Sequence, residues 1–171
     1  MSFPTIEADD AFPDCDVSTS ASVESQMSPD SPALVELCVR NEASSSRRFT
    51  FGTPPPFHGM KNESGLAELF IIPPEYEENH APKEHLLIPD SPEADGCWRA
   101  HTRFVGYDTT RGVTIDPGEA FCTEYVPLMQ PREQRCFPSG TYEFESRVRW
   151  REDGEWFGPH DWELELTVEE S

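Results

Sequence analysis

Lysine is nearly missing from this chain. Lys61 and Lys83 are the only two among 13 basic residues, against 33 acidic ones. The formal net charge is −20, and a field of that sign repels polyanions. Nucleic-acid binding through phosphates and adsorption to anionic membranes are therefore not expected. Apolar runs are short as well. No stretch of 18 apolar residues occurs, so no membrane-spanning helix is predicted. The opening residues, Met1 to Asp10, have neither the basic nor the apolar region of a secretory signal, and Ala11-Phe12-Pro13-Asp14-Cys15 is not a lipoprotein cleavage site. The cytoplasm is the expected compartment.

Motifs that carry chemistry are scarce too. The five cysteines, Cys15, Cys38, Cys97, Cys122 and Cys136, nowhere take the C-x-x-C spacing of a zinc ribbon or redox centre. The histidines His58, His80, His85, His101 and His160 are dispersed. His80 and His85 with Cys97 lack regular ligand spacing, so no metal is expected. The glycine-rich, nucleophile-elbow and zinc-helix signatures are all missing, and no flanking pattern sets a cysteine beside a histidine. No catalytic residue, cofactor or metal site is expected, and the chain is read as a non-enzyme.

What is abundant is acid. In molar salt the Debye length falls to about 3 Å, so dense carboxylates hardly repel one another. They hold water and cations at the surface, and few lysines means little exposed hydrocarbon. The composition fits a protein of a salt-rich medium. Hydrophobic residues are 36% of the chain, enough for one core.

Residues 1–31 are rich in Ser, Asp, Glu and Pro, with scattered apolar positions, and are expected to form a disordered tail. From Pro32 the pattern has period two. Val35, Leu37 and Val39 alternate with Glu36, Cys38 and Arg40, as in a half-buried strand. Further strands are expected at Phe49-Thr50-Phe51, in the apolar run Leu66 to Ile72, at Leu86-Leu87-Ile88, from Cys97 to Val105 with Trp98 as a core anchor, at Val113-Thr114-Ile115 and from Ala120 to Leu128. Asp116-Pro117-Gly118-Glu119 and Pro138-Ser139-Gly140 read as turns. Tyr142, Phe144, Ser146, Val148 and Trp150 share one face of a strand, and Trp162, Leu164, Leu166 and Val168 share one face of the last. Asp153-Gly154 is a hairpin signal, with Trp156-Phe157-Gly158-Pro159 lengthening the connection. No convincing helical period appears. Residues 32–171 are thus predicted to be one all-β domain of seven to eight antiparallel strands, a sandwich or barrel.

The features from Val35 to Val168 resemble the intracellular proteinase inhibitor family of the BsuPI type, an immunoglobulin-like β-sandwich. Its marks here are the strand ending in Asn41, Phe49-Thr50-Phe51, the isolated Trp98, Ile115-Asp116-Pro117-Gly118-Glu119, and Pro138-Ser139-Gly140-Thr141-Tyr142. The chain is also similar to uncharacterised acidic proteins of halophilic archaea, through Gly96-Cys97-Trp98-Arg99 and a later Cys136. The resemblance implies an immunoglobulin-like sandwich. It also sets Cys97 and Cys136 in recurrent segments beside turns, within reach of a disulfide whose formation a reducing cytoplasm opposes. Cys38 and Cys122 are expected to be ordinary strand thiols. The Pro-rich, acidic stretch Phe57–Asp95 departs from the inhibitor pattern and reads as an insertion.

The functional expectation is an unidentified protein partner, met through sandwich-end loops, with proteinase inhibition as the version the resemblance implies. Trp156 and Phe157 are the candidate interaction residues, because exposed aromatics on a rigid scaffold bury area at a contact. The Phe57–Asp95 insertion is the second place. The alternative is a carbohydrate-binding or carbohydrate-hydrolysing sandwich using convergent acids and aromatics. Oligomeric state is left open.

Overall fold

A computed structural model describes residues 3–13, 15–75, 77, 86–102 and 109–170. Nine strands occur among them: β1 (Thr5–Ala11), β2 (Val17–Ser25), β3 (Leu34–Asn41), β4 (Arg47–Gly52), β5 (Leu69–Ile72), β6 (Thr110–Ile115), β7 (Ala120–Met129), β8 (Gly140–Glu152) and β9 (Glu155–Glu169). They form two antiparallel sheets, ordered β1-β9-β8-β4-β6 and β2-β3-β7-β5. The architecture is all-β and sandwich-like, and both sheets contribute to one hydrophobic core.

The period-two segments fold as their alternation requires. Along β8, Tyr142, Phe144, Ser146, Val148 and Trp150 are buried while the intervening residues are exposed. Trp162, Leu164, Leu166 and Val168 do the same on β9. Each large side chain so buried contributes about 1.5–3 kcal/mol. Trp98 is a core residue, 1% exposed, and its indole N–H donates to the Ser28 carbonyl at 2.8 Å. The hydroxyl of Tyr125 accepts from the Phe57 N–H at 3.1 Å and donates to the Phe57 carbonyl at 3.0 Å. That pair pins the proline-rich turn after β4 onto the second sheet.

The described residues of the 1–31 stretch, 3–13 and 15–31, are not a loose tail. β1 pairs with β9 from Thr5↔Glu169 to Ala11↔Glu163, and β2 pairs with β3 from Val17↔Asn41 to Ser25↔Leu34. An edge strand buries one face only, so small residues suffice. Ile6 and Ala8 face inward on β1, and Val17, Thr19, Ala21 and Val23 on β2. Gln26 clamps both backbone groups of Ile6 at 2.8 Å. The serine-rich composition that suggested disorder conceals a true alternation.

Two other expectations change. Leu86-Leu87-Ile88 is not a strand but a loop segment, whose N–H groups at Leu87 and Ile88 are taken by the buried Glu77 carboxylate at 2.7 and 2.9 Å. From Cys97 onward, Arg99 makes only an isolated bridge, to Met129, and 103–105 lie outside the described residues. The stretch Phe57–Asp95 is no appended insertion either. It supplies β5 and core residues such as Phe57, Met60 and Leu87.

Candidate interaction surface

The β8–β9 hairpin turns on two residues alone. Asp153 and Gly154 both take positive φ, 50° and 80°, as a type I′ turn demands. Trp156 and Phe157 therefore lie on β9 itself, opposite Arg151 and Trp150, and not in a connecting loop. Gly158 and Pro159 are absorbed by a register shift between Val148 and Trp150, a β-bulge that accommodates the proline. Gly158 is required there: its φ is 95°, and a Cβ would meet the Val148 carbonyl oxygen at 2.8 Å.

Trp156 is 51% exposed and Phe157 39%. Phe157 stacks on Trp150 with ring centroids 6.3 Å apart. Trp156 stands on the outer face of the five-stranded sheet beneath two guanidinium groups, Arg149 at 4.8 Å and Arg151 at 5.7 Å from its ring centroid. Arg48 lies directly across from Arg151 on β4, and like charges in that position destabilise a sheet. None of Arg48, Arg149 and Arg151 makes an ion pair among the described residues, although the chain carries 33 carboxylates. The buried indole N–H of Trp150 also finds no acceptor there. This end of the hairpin exposes apolar area and unpaired cations together.

The other half of the same face is acidic. Asp9, Glu63, Glu143, Glu145, Glu163 and Glu165 line a surface depression of ≈ 200 Å³. Six residues separate Glu145 from Arg151, so the acids and the exposed aromatics lie about 20 Å apart at 3.3 Å per residue. Between them Arg147 faces Asp161 at 3.6 Å, an exposed pair of little energetic weight.

Arg47 and Arg99 are used differently, as buried ties. Arg47 reaches Glu152 at 2.9 Å and the Asp16 carbonyl at 3.1 Å. Hydrogen bonds from Ser45 and then Arg47 hold the Glu152 carboxyl below its ordinary value. Arg99 binds Glu93 and Asp95 and the carbonyls of Glu133 and Gln134. The Cys97 N–H and then Arg99 hold Asp95 low in the same way.

Beside that node Cys97 and Cys136 form a disulfide, with Cα atoms 5.7 Å apart. Cys38 and Cys122 are bonded as well, at 4.1 Å, and are not free strand thiols. They are direct partners in the β3–β7 register, a relation between two strands that spacing along one chain does not reveal. Their pairing also removes the one grouping of metal-type ligands among the described residues, Glu36 with Cys38 and Cys122. Cys15 is the free cysteine. His80 and His85 lie outside the described residues.

One hydroxyl–imidazole pair was not anticipated. The Ser146 hydroxyl lies 2.8 Å from His58 Nδ1 and accepts the His58 backbone N–H at 3.1 Å. Burial, then the charge of Arg147, depress the His58 pKa. Ser146 is 1% exposed, so its hydroxyl is sealed from a substrate carbonyl and instead anchors the loop after β4. Its signal was legible as a lone serine on the apolar face of β8. In comparison with known proteins, no family model and no curated sequence matches this chain.

Proposed function

We propose that this chain is a non-enzymatic binding module that engages a protein partner through the Trp156 end of the β8–β9 hairpin. The observation that carries the reading is Trp156, half exposed on a rigid strand and flanked by unpaired Arg149 and Arg151. Trp and Arg dominate binding energy where an interface closes over them. The immunoglobulin-like version of the fold draws support from the Tyr142 hydroxyl, which donates to the Pro138 carbonyl at 2.6 Å, as in a tyrosine corner. Proteinase inhibition remains the specific form suggested by resemblance. Two disulfides favour an oxidising setting over the cytoplasm, and the −20 charge favours a salt-rich one. Affinity capture from the native source in molar salt tests the reading. Trp156→Ala with Phe157→Ala should abolish capture while leaving the melting temperature close to that of the parent. Capture that survives both substitutions refutes the assignment, and titration against serine proteinases decides the inhibitor version.

The acid-lined depression favours a second reading, a sandwich that binds or hydrolyses carbohydrate. It ranks lower because its carboxylates and the exposed aromatics occupy opposite ends of the hairpin. Polysaccharide turnover lost on Glu145→Gln would establish it.

A further inference from the structure

The outer face of the five-stranded sheet is divided by charge. Along β8 the exposed residues run Glu143, Glu145, Arg147, Arg149, Arg151. Glu165 and Glu163 stand opposite the first two, Asp161 opposite Arg147, and Trp156 opposite Arg151. The sign of the face reverses at the Arg147–Asp161 pair, with acids on one side and unpaired guanidiniums on the other.

We infer that this face pairs two copies of the chain about a two-fold axis passing at Arg147 and Asp161. The inference rests on the protein-binding reading and names the partner as a second copy. An isologous contact needs a self-complementary surface, in which residue i meets j and j meets i. A two-fold axis lying midway between the two facing sheets, parallel to both and perpendicular to β8, sets position 147 of one copy over position 147 of the other, where each Arg147 keeps its own Asp161 as a neighbour. It sets Arg149 over the other copy's Glu145, and Arg151 over its Glu143. Both matches fall at equal spacing from the axis because exposed residues recur every second position. The same operation brings the acidic end of one copy toward Arg48 and Trp156 of the other.

This arrangement accounts for the abutting of Arg48 and Arg151 without an acid of their own. Their repulsion is relieved by carboxylates from the second copy, and the guanidinium groups of Arg149 and Arg151, held over the Trp156 ring, offer N–H donors for bidentate pairing. The extent is that of a modest contact. β8 and β9 run its whole length, while β1 flanks only the acidic end and β4 with β6 only the cationic end. Three to four strands at about 4.8 Å over positions 143 to 151 therefore cover roughly 450 Å² per copy, below the ~800 Å² per partner of a standard interface, and the dimer is a weak one. The net charge of −20 opposes association over long distances. In molar salt that repulsion is screened beyond about 3 Å, whereas ion pairs in contact are screened least.

Sedimentation equilibrium of the full chain in molar potassium chloride tests the inference. The expected result is a dimer of the 19.4 kDa chain. Arg149→Glu with Arg151→Glu should halve the mass, and so should Glu143→Arg with Glu145→Arg. An equimolar mixture of the two variants should recover the dimer, because both halves of the contact are then complementary again. All four positions are exposed, and circular dichroism verifies that the variants fold. A monomeric parent overturns the inference, as does a dimer unaffected by either variant or a mixture that stays monomeric. If the parent is monomeric but still loses its captured partner on Trp156→Ala with Phe157→Ala, the dimer fails and the protein-binding reading stands.

Discussion

Glu77 is 4% exposed and does by a side chain what a neighbouring strand does elsewhere. One carboxylate oxygen accepts the N–H groups of Leu87 and Ile88. Burial raises its pKa above the ordinary 4.5, and the two hydrogen bonds oppose the rise without cancelling it. Glu77→Ala leaves both donors orphaned. At about 1–3 kcal/mol for each unsatisfied buried group, the loss should be about 2–6 kcal/mol. Glu77→Gln keeps an acceptor oxygen and removes the buried charge, so at pH 7 it should be neutral or mildly stabilising. The pH dependence has a definite sign. A carboxyl whose folded pKa is raised binds its proton more tightly in the native state. Its stabilising contribution is complete below the unfolded pKa and is lost as pH rises through the folded one. In that window stability falls as pH rises, with a slope of at most about 1.4 kcal/mol per pH unit. Glu77→Gln should abolish this component. Urea unfolding at several pH values, with an unchanged m-value, gives the comparison. The reasoning is refuted if the glutamine variant is as unstable as the alanine one, or if parent and glutamine variant show the same pH profile.

Stability should rise from low to molar potassium chloride, because unscreened repulsion at net charge −20 opposes compactness; a melting temperature indifferent to salt removes the salt-rich reading. Serine at Cys97 and Cys136 should cost about 4 kcal/mol for a bridge of sequence separation 39, and serine at Cys38 and Cys122 slightly more for separation 84, in the chain-entropy account. Thiol titration should find one reactive cysteine before reduction and five after, and a urea midpoint unmoved by reductant contradicts the bridges. Gly158→Ala, at φ 95° with the Val148 oxygen in its way, should cost about 1–3 kcal/mol. Gly154→Ala, at φ 80° in open space, should cost about 1 kcal/mol, and thermal melts that reverse this order contradict the bulge geometry.

The strands with large alternating side chains were legible from sequence: β3, β4, β7, β8 and β9 all coincide with expected segments. β1 and β2 were not, because Ala8, Thr19 and Ala21 carry little hydrophobic signal. Their burial depends on β9 and β3, more than a hundred residues away in one case. Asp153-Gly154 marks its turn in the sequence alone, but Gly158-Pro159 reads there as loop, since a bulge is defined by its partner strand. The aromatic pair was visible as composition. Its guanidinium neighbours were not, because the setting of Arg149 and Arg151 over Trp156 is a cross-strand relation. The Cys38–Cys122 bond was missed for the same reason.

The pairing of β1 with β9 has a consequence for how the molecule is made. Thr5 waits for Glu169, so the first of these nine strands to be made meets its partner only once the last of them has been made. Until then β9 is not available to β1 or β8, and the apolar faces of both stay open. A chain that stalls or is cut short within β9 would keep that open edge for good. Pairing of such wide sequence separation also folds slowly, and the interval before closure is when this chain is most open to wrong partners.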